Sequence, residues 1–201
     1  MTVSVAPLGA FTTLALTAYT EESLLRGALQ LDHDRLADQL ADGRPIRVAS
    51  AASCRIADGA VDRLGATDLE QRDVLVIVVT GPAGNPARVI ATTSRTAEVA
   101  IGPYELVGRI HLPYGLHPEV WARRKRWIAL TGALITYPGL DGPRTEVHDT
   151  VLVNRELMDA FGPSDARTYD IRREAALNRD AMPLRDRMVW LRPVAGAQRG
   201  H

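Results

Sequence analysis

The densest chemical feature of the sequence is Arg123-Arg124-Lys125-Arg126, a basic run flanked by Trp121 and Trp127. Guanidinium and ammonium groups neutralise phosphates and indole rings stack on bases. Single-stranded nucleic acid, or another anionic ligand, is what such a pattern would select. A basic run at a helix end also has a plainer use, since cations there face the negative end of the helix dipole. His111, His117 and His148 lie in the same half of the chain as Glu146 and Asp149. Histidine with carboxylate can hold zinc, but this spacing matches no ligand pattern, so no metal and no cofactor is expected. Ser50 and Ser53 have no base beside them, and Gly81-Pro82-Ala83-Gly84-Asn85-Pro86 lacks the lysine and the glycine spacing of a phosphate loop. Cys54 is the only cysteine, which excludes an internal disulfide and a thiolate cluster and reads as a small buried apolar residue. No residue is nominated as catalytic.

Composition sets the frame for these residues. The chain has 201 residues with 24 basic and 24 acidic side chains, so its balance gives no general attraction to nucleic acid or to an anionic membrane. A net charge near zero also favours self-association. Hydrophobic residues make up 46%, enough for a packed core. Met1 to Ala18 has no Lys or Arg before its apolar stretch, unlike a signal peptide, and no run is long and apolar enough to span a membrane. A cytoplasmic location with reduced thiols is the expectation.

The elements that would position the chemistry repeat. Leu25-Arg26-Gly27-Ala28-Leu29-Gln30-Leu31 matches Leu106-Val107-Gly108-Arg109-Ile110-His111-Leu112, with glycine third in each. Alternation around the glycine reads as a half-buried strand, and glycine inside a strand marks a bulge or a close backbone approach. A short helix follows in each copy, 34–42 and 117–125, with Gly43 stopping the first and Pro118 in the first turn of the second. Residues 45–56 then match 127–137, with Ile46 over Ile128 and Val48 over Leu130. Val74 to Thr80 is paired by likeness with His148 to Asn154. Thr13 to Ala18 and Thr96 to Ile101 supply a leading strand to each copy.

The expected fold is therefore mainly β with a helical minority. Two tandem pseudo-symmetric β-β-α-β-β units form small bent sheets or open barrels, over 10–93 and 94–160, with a charged C-terminal tail over 161–201. Units of this size bury little surface alone, so they are expected to pack on one another. Within the tail, Met188, Val189, Trp190 and Leu191 form an apolar patch that would dock on a partner. The functional expectation is a non-enzymatic binding or assembly protein, a structural or accessory subunit with a protein partner or a second copy. The alternatives are a nucleic-acid or anionic-ligand binder using Trp121, Arg123, Arg124, Lys125, Arg126 and Trp127, or an enzyme with its site between the units.

Overall fold

A computed structural model describes residues 12–31, 36–80 and 92–180. Asp32, His33 and Asp34, the loop 81–91, and the docking patch Met188, Val189, Trp190 and Leu191 lie outside the described residues. The first half of the chain runs β1 (Thr12–Tyr19), β2 (Ser23–Leu31), α1 (Leu36–Ala41), β3 (Ile46–Arg55), β4 (Val61–Leu69), a 3-10 turn at Gln71–Asp73 and β5 (Val76–Thr80). The second runs β6 (Thr92–Ile101), β7 (Tyr104–Pro113), α2 (Pro118–Ala122), β8 (Trp127–Gly139), β9 (Gly142–Asn154), a 3-10 turn at Arg155–Leu157, β10 (Ala160–Pro163) and α3 (Ala166–Asp180).

The fold is mainly β, and every strand belongs to one open antiparallel sheet ordered β10-β6-β7-β8-β9-β5-β1-β2-β3-β4. The halves do not stack as two separate sheets. They meet edge to edge through β9 and β5. Strand order within the halves is the same, β5-β1-β2-β3-β4 and β10-β6-β7-β8-β9, and runs in the same sense across the sheet. The two are joined head to tail.

This order corrects one sequence match. Val74–Thr80 and His148–Asn154 look alike but are not equivalent strands. β5 takes the place that β10 has in the second half, β4 takes the place of β9, and β5 pairs with β9. They resemble each other because Val76–Val78 and Val151–Val153 are buried on both faces, which gives each a short apolar run in place of alternation. β4 (VDRLGATDL) gave no strand signal because its side chains are nearly all exposed. β10 has only four residues, one of them glycine and one proline.

The two inner glycines do share a place. Leu16 pairs with Gly27, and Ala97 with Gly108. On the opposite side of each strand the register slips at the glycine, between Arg26 and Ala28 against β3 and between Val107 and Arg109 against β8. Close packing is the cause. A Cβ on Gly27 would overlap Val48 Cγ1 and lie 2.8 Å from the Ala49 carbonyl oxygen. A Cβ on Gly108 would meet Leu130 Cβ at 3.1 Å and Ala133 at 3.3 Å. The bulge continues into the neighbouring strand, where Ser50 and Gly132, at matching positions, have φ of 52° and 58°.

The charged segment after Pro163 is helical over its described part. Asp165 accepts bonds from the Thr168 amide and hydroxyl at 2.8 and 2.7 Å and so caps α3. Tyr169 and Ala176 pack on Val107, Leu134 and Val147, and the Tyr169 hydroxyl donates to the Gly132 carbonyl at 2.7 Å. The matching register in the first half places Arg26, Ala52 and Arg63 at those three apolar positions, so that face offers a helix nothing comparable to bury.

Gly27→Ala should lower stability by about 1–3 kcal/mol, because backbone and a β-branched side chain would both have to give way. Gly108→Ala should cost less, since its neighbours need move by only a few tenths of an ångström. Chemical denaturation of the two variants side by side checks the order; equal costs would contradict the packing account. Ser50→Gly should stabilise by about 0.5–1 kcal/mol, because only glycine takes the left-handed region without strain.

Candidate functional site

The joint between the halves is where the chain concentrates its buried polar and ionisable groups. It rests on three opposed residue pairs, Val76 with Val153, Ile77 with Leu152 and Val78 with Val151. Alternation along each strand sends these side chains to different cores. Ile77 and Leu152 enter the first-half core with Leu16, Leu29, Leu40 and Val48, while Val76, Val78, Val151 and Val153 enter the second with Leu106, Ile110 and Ile128. Tyr19, Leu24 and Leu75 from the first half also fill the second core, and Trp127 from the second fills the first. The two strands are shared walls, and neither core is complete without the other half.

A polar clamp lies at one end of the joint. Asn154 is fully buried, and its Nδ2 donates to the carbonyls of Gln71 at 2.9 Å and Val74 at 3.1 Å. Gln71, also buried, donates from Nε2 to the Arg44 carbonyl at 2.7 Å and accepts from Trp127 Nε1 at 3.2 Å. These bonds satisfy the backbone where β5 begins, so the turn can be buried without orphaned carbonyls.

The other polar group lies deeper along the same strands. The Tyr19 hydroxyl donates to Glu146 Oε2 at 2.7 Å and the Tyr137 hydroxyl to Oε1 at 2.6 Å. His148 Nε2 lies 3.3 Å from Glu146 Oε2 and 3.1 Å from the Tyr19 oxygen. Because the Tyr19 proton is spent on Glu146, the shared hydrogen here is the one on His148 Nε2. Tyr104 crosses the Tyr19 ring edge-on at 5.4 Å and donates to the Thr20 carbonyl at 2.6 Å. Arg26 Nη2 approaches Glu146 from the exposed side at 3.9 Å.

The electrostatics follow from these bonds. The hydrogen bond from His148, then those from Tyr137 and Tyr19, hold the Glu146 carboxyl down at about 2 against the burial that opposes them. Burial pushes the Tyr19, Tyr104 and Tyr137 hydroxyls well above the ordinary tyrosine range, and for Tyr19 and Tyr137 the Glu146 charge adds to it. The Tyr19 and Tyr137 protons both point at the Glu146 carboxylate, which joins residues of the two halves.

The residues singled out in the sequence are divided by the structure. Arg123, Arg124 and Lys125 are exposed after α2. Arg126 is partly buried and lies 3.1 Å from Glu156. Trp121 is partly buried against the second core, and Trp127 is 7% exposed, so its ring faces protein and not a base. Arg155, unmarked in the sequence, joins the run by donating to the Lys125 carbonyl at 2.7 Å. His111 bonds Thr131 at 2.8 Å, His117 begins α2 without a capping side-chain bond, and only His148 meets a carboxylate. Among the described residues no group of His, Cys, Asp and Glu is arranged to hold a metal ion. Cys54 is half-buried, more open than expected. Glu146 stands near the histidines in the sequence, but Tyr19, Tyr137, Gln71 and Asn154 carry no local mark, because most of their partners lie far off in the chain. No described helix is long and apolar enough to cross a membrane.

Beyond the joint, the sheet ends in two strands that have one partner strand each among the described residues, β4 and β10. β4 is exposed along almost its whole length, with Val61 at 64% and Leu64 at 45%. Compared with known family models, curated proteins and solved structures, the chain matches none.

The joint should weaken in acid. Glu146 titrates below its ordinary value of 4.5, so its contribution is complete above that pH and is lost as the pH falls through about 2. Glu146→Gln should flatten this dependence while lowering stability near neutrality. Thermal melts from pH 7 to 2 compare the two. Parallel curves would show that Glu146 does not carry the acid sensitivity.

Proposed function

We propose that this chain is a non-enzymatic assembly protein, a structural or accessory subunit that associates with further copies of itself through its open strand edges. The observation that carries the reading is β4: a nine-residue edge strand with no second partner strand among the described residues, in a molecule whose equivalent strand, β9, is paired by β5 over Val151–Val153. Uncovered edges of this length are commonly blunted by charge, proline or a covering element, because unpaired N–H and C=O groups recruit other strands. β4 carries Asp62, Arg63 and Asp68 and a register shift at Gly65, which blunt it in part, yet it also presents Val61 and Leu64 to solvent. Chemistry at the joint supports the same reading, since the group nearest to acid–base machinery has its tyrosine protons committed to Glu146. The near-zero net charge adds to it by removing long-range repulsion between copies.

A second reading, binding of a polyanion, is supported by the exposure of Arg123, Arg124 and Lys125 beside Arg155. Without an open Trp127 face it would be electrostatic and strongly salt-dependent. Fluorescence anisotropy with a labelled single-stranded oligonucleotide, for the native chain and for one with Arg123, Arg124 and Lys125 changed to Gln, separates it from assembly.

Sedimentation velocity over a wide concentration range tests the assembly reading. The average mass should rise with concentration. A native chain that stays monomeric at its highest soluble concentration would overturn the proposal.

A further inference from the structure

The free edges β4 and β10 are the two halves of the joint that the chain already makes internally. In the joint, the last sheet strand of the first half, β5, pairs with β9 of the second. The strand that corresponds to β9 in the first half is β4, and the one that corresponds to β5 in the second half is β10; among the described residues each pairs on one side only. The registers fix the correspondence residue by residue. Tyr19 pairs with Val76 as Ala100 pairs with Ala160, and the Leu75 amide donates to the Tyr19 carbonyl at 2.9 Å as the Asp159 amide donates to Ala100 at 2.9 Å. Ile46 pairs with Leu69 as Ile128 pairs with Val153. Hence Ala160, Phe161 and Gly162 stand where the joint has Val76, Ile77 and Val78, and Leu69, Asp68 and Thr67 stand where it has Val153, Leu152 and Val151.

We infer that β10 of one chain adds antiparallel to β4 of a second copy, head to tail, with Ala160, Phe161 and Gly162 opposite Leu69, Asp68 and Thr67. This rests on the assembly reading above and names its partner strand. The contact is heterologous, because each copy uses a different edge, so it generates a ring where the rotation closes and a filament where it does not. Its side chains differ from the internal joint in a definite direction. Val76 and Val78 are matched by Ala160 and Gly162, and Leu152 by Asp68, so less apolar surface is buried and a carboxylate faces the neighbouring core. The clamp changes too. Glu70, at the place of Asn154, has no N–H to donate to the turn carbonyls of its neighbour. The internal joint is therefore permanent and the one between chains is reversible. Main-chain pairing is common to both, while apolar exchange is strong only inside the chain. An isologous β4–β4 contact is the rival geometry. Centred on Gly65 it would set Asp62 against Asp68 in both strands, an unfavourable like-charge pair.

Cysteine cross-linking distinguishes the geometries. In a Cys54→Ser background, one preparation carries Thr67→Cys and another Gly162→Cys, a position where a Cβ meets nothing within 4 Å. Mixed and mildly oxidised, they should give a heterodimer in high yield, and neither alone should link efficiently. Asp68→Leu, which restores the counterpart of Leu152, should tighten association on the order of 10–100-fold by sedimentation, as expected for burying one leucine in place of a charge. Association without the mixed cross-link, or efficient linking of Thr67→Cys to itself, would overturn the head-to-tail inference and leave the assembly reading standing. A native chain that remains a monomer at its highest soluble concentration would remove both.

Discussion

The antiparallel contact between β5 and β9 is the constraint on which the rest depends. It is short, three opposed pairs, yet each strand in it belongs to two cores. Ile77 and Leu152 point one way, Val76, Val78, Val151 and Val153 the other, which is the ordinary two-residue alternation of a strand put to use on both faces. A five-stranded half with a two-turn or shorter helix buries little interior of its own. Sharing two strands lets each half count the other's side chains in its own core. That is why Tyr19 packs with Tyr104 and Tyr137, and Trp127 with Leu40 and Val48.

Sharing walls brings polar consequences. A sheet that passes from one core to another must bury the turn where it crosses, and the carbonyls of that turn need donors. Asn154 and Gln71 supply them. It also traps Glu146 between the halves, where an unpaired carboxylate would be costly. Three donors, from Tyr19, Tyr137 and His148, keep it ionised. The cluster thus follows from the joint, and its chemistry is that of a latch holding two halves in register. The halves also differ where the joint does not reach. α3 covers the apolar face made by Val107, Leu134 and Val147, while the first half has Arg26, Ala52 and Arg63 there and leaves its β3–β4 hairpin open.

Much of the local organisation was legible. Leading strands, the two glycine strands, the short helices, and the strands starting at Ile46 and Trp127 follow from alternation, helix stop signals and the repeated glycine. What failed was the pairing of Val74–Thr80 with His148–Asn154. Their apolar parts, Val76–Val78 and Val151–Val153, share a physical reason, burial on both faces, and likeness of cause is not equivalence of place. β4 was missed because an edge strand with no buried face has no hydrophobic period to read. The basic run was visible, but its flanking tryptophans look the same in a sequence whether they stack on a ligand or fill a core.

The sequence by itself determined that the chain is β-rich, that a strand–glycine–strand unit occurs twice, and that no metal pattern or nucleophile is spelled out locally. These are properties of short windows, where side-chain period and backbone freedom act directly. Only the tertiary structure decided that the halves form one sheet head to tail, that Trp127 is buried, that Tyr19 and Tyr137 converge on Glu146, and that β4 and β10 are the outer strands of the described sheet. Each of these depends on which strand lies beside which across more than a hundred residues in the case of Tyr19 and Glu146. Strand pairing is set by the sum of many weak side-chain and main-chain contacts over the whole sheet, and no single stretch of sequence contains that sum.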